Sequence, residues 1–370
     1  MKKVLPLRAE VSSILGRAQR DYRELAGSTT FSLKDLFSPA GFRFEEFCQG
    51  FAPHPDSARL TQVAQQFAEE HDIWLPNAKG HVSCALFLYP DAQPDRMIAI
   101  MKNLVIGFYL NDVMGRDLFR SLPANQQREA RQLIGNMAGI AASLTVPIDA
   151  HPIEHLNARV LRQFRENSPE TWFDRFLHFY CHHLNITHTD RNAVALGHIP
   201  GLDEYIENRC HYAGVHHVVL WIEYNNGQFL DWDLLEVLQL AAPLRRLHWL
   251  TAAFGCLSND LFSFEKEVID QGCDSNLVMI LLLNNPDLSL KDGVRAACDI
   301  VRNLVMEFTG LLRSTRERVA LEGSSYPSLS ALLSDHIDGV CRCVQATWLW
   351  HCHSTRYKRA GSLWQETMTQ

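Results

Sequence analysis

An all-α fold, a single large bundle of roughly ten or more helices, is predicted on three observations. Apolar residues recur at three- and four-residue spacing in one segment after another. No series of alternating β-branched runs occurs, and no Asn-Gly hairpin joins two such runs; Asn225–Asn226–Gly227 reads as a connection between helices. The interruptions are short turn-type clusters, none long enough for an interdomain linker, so the 370 residues are expected to form one domain.

Taken in order, the periodic segments are residues 56–71, Pro94–Met114, 125–144, 170–184, 231–240, 244–268, 289–321 and 329–357. The first fifty residues receive no assignment. Breaks fall at Asn77-Ala-Lys-Gly80 and at Tyr89-Pro90-Asp91-Ala92-Gln93-Pro94, where Pro94 suits a first helical turn. Two later breaks, Asn284-Asn285-Pro286-Asp287 and Gly323-Ser324-Ser325-Tyr326-Pro327, delimit two unusually long final helices.

Hydrophobic residues make up 46% and charged residues 21% of the chain, a globular balance with enough apolar content for a large core. The net charge of −7, without a Lys/Arg block, argues against a nucleic-acid partner. It also repels an anionic ligand at long range, so such a ligand needs a metal or a local basic cluster. The ten cysteines are scattered through apolar segments without a CxxC pair. They read as buried free thiols of a reducing cytosol, not as a zinc site. Lys2 and Lys3 precede no apolar core, so no signal peptide is expected. Apolar runs such as residues 278–283 are too short to span a bilayer. The expected location is the cytoplasm.

Chemistry concentrates in Leu257-Ser-Asn259-Asp260-Leu-Phe-Ser263-Phe-Glu265-Lys266-Glu267. On an α-helix Asn259, Ser263 and Glu267 share one face over about 12 Å. An amide carbonyl, a hydroxyl and a carboxylate form a hard-cation ligand set, suited to magnesium or manganese. One carboxylate is too little charge for magnesium alone, so the site expects phosphate from the substrate; Lys266 stands beside the face to meet it. The bland alternative is a polar stripe on an amphipathic helix, but Phe254, Leu257, Leu261, Phe262 and Phe264 leave this helix little solvent. A polar stripe in an apolar helix needs an interior partner.

This segment resembles the N-D-x-x-S-x-x-K-E motif of bacterial class I terpene synthases at every defining position, and the resemblance extends over roughly residues 89–357. It implies the helical bundle of the class I terpenoid synthases, with Asn259, Ser263 and Glu267 binding one Mg²⁺ and Lys266 touching the diphosphate. It further implies Mg²⁺, three ions in the family, as cofactor and a prenyl diphosphate as substrate, with dimers common among relatives. The expected reaction is ionisation and cyclisation of farnesyl diphosphate (geranylgeranyl diphosphate being the longer option) with release of diphosphate, a carbon–oxygen lyase chemistry.

The family also carries an aspartate-rich motif upstream. Here Asn111-Asp112-Val113-Met114-Gly115-Arg116-Asp117 stands in its place, after the family-like Tyr89-Pro-Asp-Ala92. Asp112 is the expected ligand; Asn111 replaces an aspartate and can coordinate through its carbonyl; Asp117 is either a further ligand or pairs with Arg116 or a surface partner. For the family's Y-x-x-x-R-R-x-x-x-G, the chain has Tyr205, Arg209, Cys210 and Gly214, which makes Arg209 the diphosphate sensor and Gly214 a helix break beside the Ala213 carbonyl. Arg356-Tyr357 resembles the C-terminal Arg-Tyr pair that closes on diphosphate.

The reaction needs cationic donors at one end of a dry cavity, with aromatic faces to steady the cation. Phe87, Tyr89, Phe108, Trp221, Phe254 and Trp348 are wall candidates, although ordinary core is the commoner fate of such residues. The adjacent pairs His182-His183 and His216-His217 face apart, and Pro152 places His151 at or before a helix start; all are read as solvated or satisfied core. A chain-elongating prenyltransferase would carry a second aspartate-rich motif where Asn259, Ser263 and Glu267 stand. The remaining competitor is a non-catalytic helical isoprenoid-binding protein, favoured by Asn111 alone.

Overall fold

A computed structural model describes residues 4–119, 121–322 and 326–369, without the side chains of Val4, Leu5, Arg116, Asp117 and Glu322. The chain is all-α. Its helices are α1 (Val4–Leu25), α2 (Leu33–Phe37), α3 (Phe44–Phe47), α4 (Ser57–Glu69), α5 (Ala78–Leu88) and α6 (Pro94–Met114). They continue with α7 (Arg116–Phe119), α8 (Ala124–Ala138), α9 (Pro152–Glu166), α10 (Glu170–Thr187), α11 (Ala193–Leu196) and α12 (Leu202–Tyr212). The last are α13 (Val215–Asn226), α14 (Trp232–Val237), α15 (Ala241–Phe264), α16 (Leu277–Asn284), α17 (Leu290–Glu322) and α18 (Pro327–His353). The β-structure among the described residues is a parallel pair, Arg359–Ala360 with Met368–Thr369, and a bridge from Phe31 to Trp364.

Helix α15 is the axis of the bundle, packed by α12, α13, α16, α17 and α18. Between positions 250 and 265 every residue is buried except Asn259. A helix apolar all round must be interior, and the single opening at Asn259 is where its polar stripe comes into use. Helix α16 is likewise buried from Leu277 to Leu283, and Asn276 caps its start by accepting from the Val278 N–H.

Helix α6 alone among the described residues is long and apolar enough to cross a membrane. In the fold it is a core helix, packed against α4, α5, α9 and α13. Its Pro94 occupies the first turn, as the sequence predicts.

Several expected boundaries shift. Residues 78–80, read as a break, begin α5, because Asn77 precedes the helix and Gly80 is accommodated within it. The segment 125–144 ends early, at Ala138. The final helix stops at His353: Ser354 turns extended, its hydroxyl accepts from the Arg356 N–H, and Thr355–Tyr357 form a 3-10 turn. His151 does stand before a helix start, capping α9 in a box with Glu154.

The N-terminal fifty residues are integral to the bundle. Helix α1 packs against α11, α16 and α17, and α2 against α17. Tyr22 donates to Glu265 at 2.8 Å, while Ser362 Oγ and the Leu363 N–H donate to the same carboxylate at 2.6 and 2.9 Å. Both termini thus converge on one buried acid inside the N-D-x-x-S-x-x-K-E segment.

Candidate functional site

A cavity of about 300 Å³ opens between α6, α10, α12, α13, α15 and α18. Asn111, Arg209, Asn259, Ser263, Lys266, Glu267, Arg356 and Tyr357 all line it. Asp112 lies at a shallower recess that shares Asn111, Lys266 and Arg356 with it. The side chain of Asp117 lies outside the described residues. Residues scattered over some 250 positions of sequence therefore meet at one opening.

The N-D-x-x-S-x-x-K-E segment does not stay α-helical. Glu265–Asp270 form a π-helical turn, a device frequent at functional sites. The regular i, i+4, i+8 face predicted from the sequence therefore ends at Ser263, and Glu267 reaches the same cavity from the wider turn. The acid pinned by the two termini, Glu265, is the first residue of that turn.

Beneath the opening sits Asp260, fully buried. Its carboxylate accepts from Arg209 Nε at 2.7 Å, from the Tyr205 hydroxyl at 2.5 Å and from the Leu277 N–H at 3.0 Å. Asn276 donates to its carbonyl at 2.8 Å and stands 3.4 Å from Glu267 Oε2. A buried carboxylate needs such a full set of donors. The arrangement aims Arg209, whose Nη2 donates to Asn259 Oδ1 at 3.0 Å. Asn259 Nδ2 in turn donates to the Tyr357 hydroxyl at 2.8 Å. Burial pushes the Tyr357 phenol up to about 12 and the neighbouring His351 down to about 3, so both are neutral near pH 7. The sequence reading gave Asp260, Glu265 and Asn276 no role. For the two acids the signal was available: a carboxylate in a helix with no solvent face must have interior partners. Cys210, which replaces the family's second arginine, is buried with its sulfur 3.6 Å from Cys256, so Arg209 is the one of the two that turns to the cavity.

On the facing side, Asp112 Oδ1 accepts from Asn111 Nδ2 and Oδ2 from Asn77 Nδ2, both at 3.0 Å. His81 Nδ1 lies 3.4 Å from Oδ2, and Arg356 Nη1 lies 4.0 Å from Oδ1 and 2.6 Å from His81 Nε2. Arginine can only donate, so His81 Nε2 accepts and its proton sits on Nδ1, towards Asp112. Burial, reinforced by Arg356, pulls the His81 pKa down to about 4. Asn77 could be read only as the start of a break and His81 not at all, because both reach Asp112 from a separate stretch of chain, the start of α5.

These residues fit a hard divalent cation. The donors around the opening are carboxylate, amide and hydroxyl oxygens. Ser263 Oγ is buried without a hydrogen-bond partner, an orphan that a ligand would satisfy. Among the described residues no group of three or more His, Cys, Asp or Glu is placed to hold a metal by itself. A site assembled here needs the amide and hydroxyl ligands, and further oxygens from elsewhere.

The break predicted at Gly214 is present, with φ +73° between α12 and α13. A Cβ there would stand 2.9 Å from the His217 ring and 3.0 Å from that of His183. Gly214→Ala is expected to destabilise the protein by about 1–2 kcal/mol from the left-handed backbone alone, plus the cost of displacing both rings, read as a lowered unfolding midpoint. Of the six aromatic wall candidates only Phe108 lines the cavity. Tyr89, Trp221, Phe254 and Trp348 are buried in the core, and Phe87 stacks on Phe51. The histidine reading is corrected as well: His183 and His217 line the cavity.

The family model described as terpene synthase family 2, C-terminal metal binding, matches residues 102–307, which spans both motif helices. The chain belongs to the terpene synthase family. Among solved structures it is similar to the linalool/nerolidol synthase of Streptomyces clavuligerus in complex with 2-fluorogeranyl diphosphate, at 17% identity and TM-score 0.66, covering 82% of this chain and 96% of that one. It is also similar to germacradien-4-ol synthase from Streptomyces citricolor, at 17% identity and TM-score 0.64, covering 81% and 97%, and to a point variant of cucumene synthase, at 19% identity and TM-score 0.66, covering 83% and 98%. Among curated protein sequences, none matches.

Proposed function

We propose that this protein is a magnesium-dependent class I terpene cyclase that ionises farnesyl diphosphate and releases diphosphate and a cyclic sesquiterpene, acting in the cytoplasm. The observation that carries this reading is the meeting of Asn259, Ser263 and Glu267 with Arg209, Lys266, Arg356 and Tyr357 on one cavity. Asp112, with Asn111, stands across that opening.

Asn259, Ser263 and Glu267 would hold one Mg²⁺, and Asp112 with the Asn111 carbonyl would hold the others, three in all by family likeness. Bound there, the metal supplies Lewis-acid neutralisation of the departing diphosphate. Lys266 and Arg356 donate to its oxygens, and Arg209, held rigid by Asp260, adds a donor that is already oriented before the C–O bond weakens. Tyr357 positions Asn259. The apolar lining of Leu88, Leu104, Phe108, Leu184 and Val218 keeps water from the cation. A volume of about 300 Å³ lies at the low end of ligand pockets, roughly 300–1,000 Å³, which favours the C15 chain over C20. Homodimerisation is proposed from the family likeness alone.

Release of inorganic diphosphate from geranyl, farnesyl and geranylgeranyl diphosphate tests the reading. The expected result is Mg²⁺-dependent release, fastest with farnesyl diphosphate and abolished by EDTA. No release from any of the three by folded protein would favour the non-catalytic isoprenoid-binding alternative. Asn111→Asp restores a second carboxylate beside Asp112 and is expected to lower the half-saturating Mg²⁺ concentration about tenfold, since charge count tunes affinity at oxygen-ligand sites.

A further inference from the structure

The far end of the cavity is polar, contrary to what a pocket for a hydrocarbon cation requires. Asn103 lies two helical turns before Asn111 on α6, about 12 Å deeper at 1.5 Å per residue. It is 2% exposed, and its amide is directed at the Tyr180 phenol, which can take only one of the two Nδ2 N–H donors. The Tyr180 hydroxyl donates to Asn157 Oδ1 at 2.5 Å and keeps an acceptor lone pair. His217, 5% exposed, leaves Nδ1 without a partner, and its ring packs 5.6 Å from Tyr180 and 5.1 Å from His183. Asn103, Tyr180, His183 and His217 all line the cavity.

Unpartnered polar groups at nearly complete burial cost stability unless something satisfies them. The diphosphate cannot, because the cationic donors hold it at the other end. Metal is equally unsuited, because no carboxylate lines this end of the cavity. A water molecule fits: it needs two to four polar partners and a polar, roomy site. Asn103 can donate to it, the Tyr180 oxygen can accept from it, and a histidine nitrogen can do either.

Resting on the cyclase reading, we propose that this polar floor holds one water that captures the cyclised carbocation, so that the product is a terpene alcohol. The water oxygen forms the new C–O bond with its lone pair, giving an oxonium. The oxonium passes one proton to the neutral imidazole of His217, and that proton leaves to solvent as product departs. In sum, prenyl diphosphate and water yield alcohol, diphosphate and a proton. Burial pulls the imidazole of His183 down to about 3 and that of His217 well below its ordinary value, so both rest neutral. Even so weakened, an imidazole is a far stronger base than an alcohol and readily deprotonates an oxonium.

The full-length protein is incubated with Mg²⁺ and each of the three prenyl diphosphates in H₂¹⁸O, beside a heat-inactivated control. The expected major product is a cyclic alcohol two mass units heavier than in ordinary water and absent from the control. His217→Phe and Asn103→Leu are expected to move the alcohol-to-hydrocarbon ratio at least about tenfold towards hydrocarbon, as when a site loses the groups that bind one hydroxyl. A cyclic hydrocarbon without ¹⁸O from the unaltered protein overturns the inference and leaves the cyclase reading standing. An unchanged ratio in both variants overturns the floor's role. No product from any of the three substrates overturns the cyclase reading, and this inference with it.

Discussion

Replacing Asn259 or Glu267 by alanine is expected to lower turnover at least about 10³-fold while leaving the helix signal in circular dichroism unchanged. Removing one fixed transition-state donor commonly costs 10²–10³-fold, and each of these residues does more than one job. Asn259 is the one residue between 250 and 265 that is not buried, so its truncation opens no core cavity. It does remove the acceptor for Arg209 Nη2 and the donor to Tyr357, so the proposed metal ligand and the orientation of two diphosphate-facing groups are lost together. Glu267 supplies the carboxylate of the Asn259, Ser263 and Glu267 set. Full activity in either variant would remove the metal assignment.

Asp260→Ala is expected to be the most destabilising single change near the site. It strips a buried guanidinium of its carboxylate and leaves the Tyr205 hydroxyl and the Leu277 N–H short of an acceptor. Breaking a buried ion pair on one side costs about 3–5 kcal/mol, measurable by denaturant unfolding. The same change lets Arg209 swing from the cavity, so turnover at temperatures where the variant stays folded should fall as well. A variant of unaltered stability would show that Arg209 does not depend on Asp260.

The fold class was legible because a helix period recurs over most of the chain, and α6 could be bounded from Pro94 to Met114 by its punctuation. The site's first layer was legible because metal and phosphate chemistry restricts residue types at fixed spacing: Asn259, Ser263, Lys266 and Glu267 could be read from one stretch. The terminal clamp on Glu265 was not, because Tyr22, Ser362 and Leu363 reach it from both ends of the chain. Nor was the π-turn, whose extra residue per turn leaves no mark on the local apolar pattern. The aromatic wall failed for the opposite reason: aromatic residues fill cores, and five of the six singled out do not line the cavity. The polar floor was missed because Asn103 and His217 sit in largely apolar helices, where spacing alone does not distinguish a polar residue that faces a cavity from satisfied core.

On the proposed function, the cavity directs an ionised prenyl chain to a ring, under metal control. Gas chromatography–mass spectrometry of the organic extract, after incubation with farnesyl diphosphate and either Mg²⁺ or EDTA, tests it most directly. The expected result is a cyclic C15 product with Mg²⁺ and none with EDTA. Acyclic solvolysis products alone, or the same product with and without the metal, would contradict it.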